Sequence, residues 1–291
     1  MLENLTKVKL VENPENKFSI IIPSWNNIYY LKLCLNSIEK NSNFKHQIIV
    51  LVNEGSDGTL EWLSEQLEID YVYSPENIGI CYGLNVCRPL VSTKHILYLN
   101  DDMYVLPGWD LELWKEIESI GHNKFMISST MIEPFDTNNK SVIVSNYGDS
   151  LDNFQEEKLL NDYKDLTKDD WSGSTWPPNI MHIDLWDLVG GMSVEFSPGM
   201  YSDPDFSMKL WQAGIRLFKG VSKSRVYHFG SKSTGRIKKN RGKQTFINKW
   251  GMTPGLFTKK FLKRGEKFIG PLPDYSLSKA EMIISRIKKT I

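Results

Sequence analysis

Apolar positions fall into short runs and helical spacings that alternate along the first half of the chain. Phe18-Ser-Ile-Ile-Ile-Pro23 is a β-branched run closed by proline and predicts a first central strand. Ser24 to Asn27 is polar, with Asn26 or Asn27 placed to cap the next element, and Leu31, Leu35 and Ile38 then recur at helical spacing. Gln47 to Val52 is a second apolar run. The Gly-rich turn Asn53 to Thr59 follows it, with Asp57 or Thr59 as cap of a helix burying Leu60, Leu63 and Leu67. Asp70 to Tyr73 reads as a strand, Ile80 to Cys87 as a helix stopped by Pro89, and His95 to Leu99 as a buried strand. Trp109 to Ser119 predicts a helix and Lys124 to Ser128 a strand. This alternation with short connections argues for an α/β fold: a mostly parallel central sheet flanked by helices.

The rhythm breaks at Glu133 to Pro178. That stretch is polar and acidic with scattered aromatics (Tyr147, Phe154, Tyr163, Trp171, Trp176), and only a short helix near Asn153 to Leu160 is readable. Long irregular insertions of this kind are usually functional or mobile. Regular signals return at Ile180 to Ile183, Leu185 to Leu188 and the Gly190-Gly191 pair. A helix then carries Phe206, Leu210 and Ala213 after Asp203-Pro204-Asp205, and Arg216 to Phe218 and Arg225 to His228 read as strands. Beyond Gly235 the chain turns basic, with helices predicted at Gln244 to Trp250, Thr258 to Leu262 and Leu277 to Lys289. We therefore divide the chain into a domain at 1–230 and a basic, mainly helical C-terminal extension at 231–291. Within the domain, the break in rhythm separates a part at about 17–130 from one at about 131–230.

Composition adds two things. The net charge is zero, yet from Phe229 to Ile291 there are 16 Lys and Arg against 3 Asp and Glu, a net of +13. Such a stretch seeks an anionic partner, an anionic membrane surface or a phosphorylated acceptor, unless it is simply a solvated helical face. It lacks a recognised nucleic-acid module or aromatic platform. Cys34, Cys81 and Cys87 are odd in number and lie in apolar segments, so they read as buried thiols in a reducing compartment. No apolar run has transmembrane length, and the first residues are too polar for a signal peptide. The expected location is cytoplasmic, with peripheral contact at the inner face of a membrane.

Candidate chemistry gathers at apparent strand ends. Asn100-Asp101-Asp102 closes the run His95 to Leu99, at the sheet edge where α/β proteins bind ligands. Two adjacent carboxylates there are unfavourable without a cation, although taken alone the stretch reads better as a helix cap or solvated turn. With Asp203, Asp205 and His228 they suit Mn²⁺ or Mg²⁺ bridging protein acids to a nucleotide diphosphate. A further carboxylate held apart from the metal could take a proton from an attacking hydroxyl.

In order, these pieces resemble the family-two glycosyltransferases of GT-A fold. Phe18 to Asn26 looks like that family's opening strand, Gly55 to Thr59 its second-strand turn, and Glu76-Asn77-Ile78-Gly79 with Asn85 its nucleotide-side loop. Leu99 to Asp102 is similar to its Asp-x-Asp motif, Gly190-Gly191 with Asp203-Pro-Asp205 to its later block, and Val226-Tyr-His228 to its late histidine. The resemblance runs from about Phe18 to Arg236 and implies that about 17–130 is the nucleotide-binding part and about 131–230 the acceptor part. It implies a nucleotide-sugar donor, most naturally a UDP-sugar, and inverting transfer to a glycan or lipid-linked acceptor. Pro23 and Trp25 would border the base, Asn53 or Glu54 its edge, and Asp101 the ribose. Asp102 would ligate the metal, with His228 as second ligand or diphosphate contact. Asp203 would be the general base, with Asp205 orienting the acceptor or supporting Asp203. Trp176, Gly190 and Gly191 are acceptor or diphosphate candidates, as are Lys232 and Arg236 in a basic stretch that would fold over the diphosphate.

The sequence departs from that pattern at Asn53 and Asn100, which stand where acids are usual, and at Ser202, where Glu is frequent. The competing readings are a GT-A binding protein without turnover and a sugar nucleotidyltransferase. The second lacks a Gly-rich basic phosphate loop after the first strand, and no G-x-G-x-x-G supports a dinucleotide oxidoreductase.

Overall fold

The computed structural model describes residues 4–10, 13–230 and 240–290, without the side chains of 286–290. A short edge strand, β1 (Thr6–Val8), precedes the predicted alternation. That alternation runs β2 (Ser19–Trp25), α1 (Ile28–Asn41), β3 (Gln47–Asn53), α2 (Thr59–Ser64), β4 (Ile69–Ser74), α3 (Gly79–Cys87) and β5 (His95–Tyr98). β2 to β5 pair in parallel, and the branched runs of β2 and β3 are buried on both faces, as such strands require. Asp57, rather than Asn26 or Asn27, caps α1: its Oδ2 accepts from the Ile28 N–H at 2.8 Å across the neighbouring loop. α2 stops at Ser64, so Leu67 lies beyond it and is 85% exposed instead of buried.

The second half comprises β6 (Met103–Val105), α4 (Trp109–Ile120), β7 (Phe125–Glu133), β8 (Ile143–Val144), α5 (Glu156–Asp162), β9 (Trp171–Ser172), β10 (Asn179–His182), α6 (Ile183–Leu188), α7 (Ser202–Gln212) and β11 (Leu217–His228). The sheet order is β1-β4-β3-β2-β5-β10-β7-β11-β6, with β8 on β7 and β9 on β11. β10 is antiparallel to both β5 and β7 because the chain enters it from the C-terminal edge of the sheet, where the insertion lies. The sheet is therefore mixed, and the parallel expectation describes the β4-β3-β2-β5 half. The two strands predicted at Arg216 to Phe218 and Arg225 to His228 are one, β11, whose register shifts between Val221 and Arg225.

Helices cover both faces. α1 and α4 pack one side, and α3, α6 and α7 the other. The basic segment adds α8 (Gly242–Trp250), α9 (Pro254–Leu256) continued by a wide turn at Phe257–Phe261, and α10 (Lys279–Thr290). It is no solvated tail: Phe246, Phe257 and Phe261 join Trp211 and Phe218 in the main core. Most of the insertion's aromatics are core as well, with Tyr147, Tyr163 and Trp171 buried. The three cysteines are buried and free. No helix among the described residues is long and apolar enough to cross a membrane.

One buried acid braces the loop after α1. Asp110, in the first turn of α4, accepts from the N–H groups of Asn43, Phe44 and Leu111 and pairs with His46 at 3.2 Å. Burial alone would raise its pKa, but His46 and those N–H groups outweigh it and hold the carboxyl below its ordinary range. Its contribution to stability is therefore present above that range and lost as pH falls through the lowered folded value. Asp110→Asn replaces an acceptor by a donor facing N–H groups. It is expected to lower denaturant stability by about 2 kcal/mol at pH 7 and to flatten the acid limb. An unchanged midpoint would remove the bracing role.

Candidate active site

Strand ends at the C-terminal edge of the parallel half surround a cleft of about 1040 Å³. Its floor is the acid loop between β5 and β6. Cys34 donates to the Asn100 carbonyl at 3.7 Å, and the Phe229 N–H donates to the Asp102 carbonyl at 3.2 Å, so α1 and β11 both anchor the loop. Asp101 and Asp102 are buried and line the cleft with Asn100.

β11 delivers His228 to that loop. Its Nε2 lies 3.5 Å from Asp102 Oδ1, and its Nδ1 lies 2.8 Å from Glu133 Oε1 at the end of β7. Burial alone would lower the imidazole pKa, but hydrogen bonds and charge from Asp102 and Glu133 outweigh it and raise it to about 9. Glu133 escaped the sequence reading, which placed it at the head of the irregular insertion. Only the parallel register of β7 and β11, with Ile132 opposite Tyr227, sets it beside His228. Among the described residues no group of three or more His, Cys, Asp and Glu is disposed to hold a metal ion. Asp102 and His228 form a two-residue set.

Asp203 faces the same cleft from the first turn of α7. Tyr201, just before that turn, has φ 69°, a left-handed conformation costing a bulky residue on the order of 1 kcal/mol. Ser202 donates to the Gly199 carbonyl at 2.6 Å and so serves the turn. The Asp203 carboxyl makes no hydrogen bond or ion pair among the described residues, and burial pushes its pKa up to about 7. Tyr98 lies between the two halves of the site: burial raises its hydroxyl pKa most, followed by the charges of Asp203 and Asp102. Asp205 is a correction. Two positions along a helix point to different sides, and its fully buried carboxylate accepts from Trp250 Nε1 at 2.7 Å and pairs with Lys249 at 3.0 Å, off the cleft.

Pro23, Trp25, Asn53, Asn77 and Gly79 line one end of the cleft. Asn53 Oδ1 already accepts from the Ile78 N–H at 3.0 Å, which shapes the Asn77-Gly79 loop. Gly79 has φ 73°, and a Cβ there would lie 2.7 Å from Pro198 Cα; Ile80 N–H donates to the Pro198 carbonyl at 2.8 Å. The loop at this end thus rests on the segment that leads to Asp203. Glu54 is not on the cleft; its carboxylate accepts from Asn26 Nδ2 at 3.1 Å and stiffens the turn. Asn85, Gly190 and Gly191 are also off it. Asn85 brackets Met192, accepting from its N–H at 2.7 Å and donating to its carbonyl at 2.8 Å, and Lys209 donates to the Gly191 carbonyl. A Cβ on Gly191 would overlap Asn85 Oδ1. Trp176 lines the cleft, joined by Lys243, Thr258 and Arg264 from the basic segment, none of which the sequence singled out. Lys232 and Arg236 lie outside the described residues.

The model for the glycosyl transferase family 2 matches residues 19–183. No curated protein matches the chain in sequence. Among solved structures, residues 1–349 of S. aureus TarS are similar, with TM-score 0.54 and 17% identity over 73% of this chain and 60% of that one. The same TarS fragment in complex with UDP-GlcNAc gives TM-score 0.54 and 17% identity over 75% and 62%. GalNAc-T7 with UDP, GalNAc and Mn²⁺ gives TM-score 0.55 and 15% identity over 84% of this chain and 46% of that one. The likeness shows the fold, GT-A, and the chain spans about three fifths of the TarS fragment.

Asn85→Ala separates bracing from ligand binding. Leaving the Met192 N–H and carbonyl unpaired is expected to cost about 1–3 kcal/mol in thermal or denaturant unfolding. A variant of parental stability with weakened UDP binding by calorimetry would return Asn85 to the ligand.

Proposed function

The chain belongs to the glycosyl transferase family 2, and from that membership we propose that it moves a sugar, with inversion, from a nucleotide-diphosphate donor to a hydroxyl of a glycan or lipid-linked acceptor. The observation that carries this reading is that Asp203 and the Asp102–His228 pair face one cleft. In this reading Asp203 is the proton acceptor for the nucleophile, and the Asp102–His228 pair serves the leaving group. UDP in similar structures supports uridine as the base.

Pro23, Trp25, Asn53, Asn77 and Gly79 hold the base and Asp101 the ribose in this reading. Asn53 keeps a second lone-pair direction and an amide for the base edge. Asp203, as carboxylate, takes the proton of the acceptor hydroxyl. The hydroxyl oxygen bonds to the anomeric carbon, the carbon–oxygen bond to the diphosphate breaks, and the nucleoside diphosphate leaves with that electron pair. A carboxyl raised to about 7 suits this work, because a substantial fraction is ionised at neutral pH and that fraction is more basic than an exposed acid. A carboxylate oxygen and an imidazole nitrogen on one wall fit a hard divalent cation that takes its other ligands from phosphate and water. Asp102 and His228, the latter only after its Nε2 has given up its proton, would hold Mn²⁺ or Mg²⁺, which when bound supplies charge neutralisation at the departing diphosphate. Glu133 fixes the imidazole orientation through Nδ1, leaving Nε2 toward Asp102.

Asp203→Asn is expected to lower turnover of a UDP-sugar by about 10²–10⁴-fold with donor affinity retained. In the parent, activity should fall on the acid side of about pH 7 as Asp203 takes up its proton, and the variant should lose that limb. Transfer at the parental rate would sink the assignment. For Asp102→Ala, calorimetry should show that the gain in UDP affinity given by Mn²⁺ disappears. A gain equal to the parent's would remove Asp102 from the metal.

A further inference from the structure

Arg264 enters the cleft from the turn after α9, with its guanidinium 3.7 Å over the ring centroid of Trp176. Three other arginines among the described residues are matched: Arg88 to Asp187, Arg216 to Asp274, and Arg225 to the carbonyls of Ser222, Tyr163 and Leu166. Arg264 makes no hydrogen bond or ion pair through its side chain among the described residues. Burial pushes its pKa down to about 10, and no acid among the described residues offsets that. A partly desolvated guanidinium without a counter-charge favours an anion beside it.

Its setting is firm. The Arg264 N–H donates to the Thr258 carbonyl at 3.0 Å, the next N–H, from Gly265, donates to Ser172 at 2.9 Å, and Gly173 packs against Arg264 Cα with no room for a side chain. With one face of the fork on Trp176, its N–H edge remains to grip two oxygens at once, as phosphate and carboxylate present them. Trp176 leads into β10, whose Asn179 lies opposite Tyr98 of β5. The stack is thus separated by the β5 acid loop from the end lined by Pro23, Asn53 and Asn77. The exposed Lys243 adds a second positive charge to the cleft wall.

We propose that Arg264 on Trp176 is an oxyanion subsite for the acceptor, so that the protein takes a sugar or polyol carrying a phosphate or carboxylate near the reacting hydroxyl. This rests on the glycosyltransferase reading of the same cleft. Calorimetry on protein saturated with UDP, titrated with glycerol 3-phosphate, glucuronate and glycerol, tests it. At least one of the two anions should bind and glycerol should not, and the better anion names the group. Arg264→Gln should weaken that anion by about tenfold or more and shift UDP affinity by less than about twofold. Arg264→Lys, which keeps the charge without the planar fork, should fall between. Equal anion affinity in the parent and both variants overturns the proposal. So does a parallel loss of UDP affinity, which assigns Arg264 to the donor diphosphate. A parent that takes the anion through Arg264 but does not bind UDP fails the donor reading and leaves the anion subsite standing.

Discussion

Two carboxylates, the buried Asp102 and the half-buried Glu133, share one imidazole, and the geometry of the cleft depends on that sharing. A carboxylate withdrawn from water is costly unless a cation accompanies it. His228 makes both tolerable, and it arrives only because β11 runs twelve residues to the edge of the sheet. A slip of one residue in β11 would turn the imidazole to the opposite face and leave two acids confronting each other. The carboxylates belong to the loop after β5 and the end of β7, so one side chain ties three strand ends together. The acid loop, the Tyr98 hydroxyl and the first turn of α7 take their positions around that knot.

The first half of the fold was legible because each parallel strand carries its own apolar run and each helix its own spacing. The acid loop was legible for the same reason: polarity changes abruptly where a buried strand surfaces. Glu133 was not, since its role comes from a strand register ninety-five positions away in sequence. Asp205 was legible in principle, because residues two apart on a helix cannot share a face. The resemblance to a paired acid motif hid this. The basic C-terminal segment misled through its charge: the lysines and arginines are conspicuous, while Phe246, Phe257 and Phe261 quietly bury themselves in the core. Arg264 therefore stood as one cation among sixteen, and its stack on Trp176 exists only in three dimensions.

Residues of one motif divide into those that face the cleft and those that hold its frame. Asn77 and Gly79 face it, yet Gly79 also meets Pro198, so the Asn77–Gly79 loop and the approach to Asp203 lean on each other. Asn53 lines the cleft while its carbonyl fixes the Ile78 backbone. Glu54 and Asn26 clamp one turn, and Asn85 clamps another. Rigid loops of this kind are what preorganised chemistry needs, because a donor and an acceptor held within a fraction of an ångström react far faster than loosely held ones.

The bracket between Asn85 and the Gly191-Met192 turn has an evolutionary side. Position 191 excludes any Cβ while Asn85 is present, and Asn85 cannot shorten without stranding the Met192 backbone groups. Neither position can drift alone, so selection for folding suffices to keep both through descent. A descendant that had lost all activity would still carry them, and their persistence in a lineage is a record of architecture rather than of chemistry.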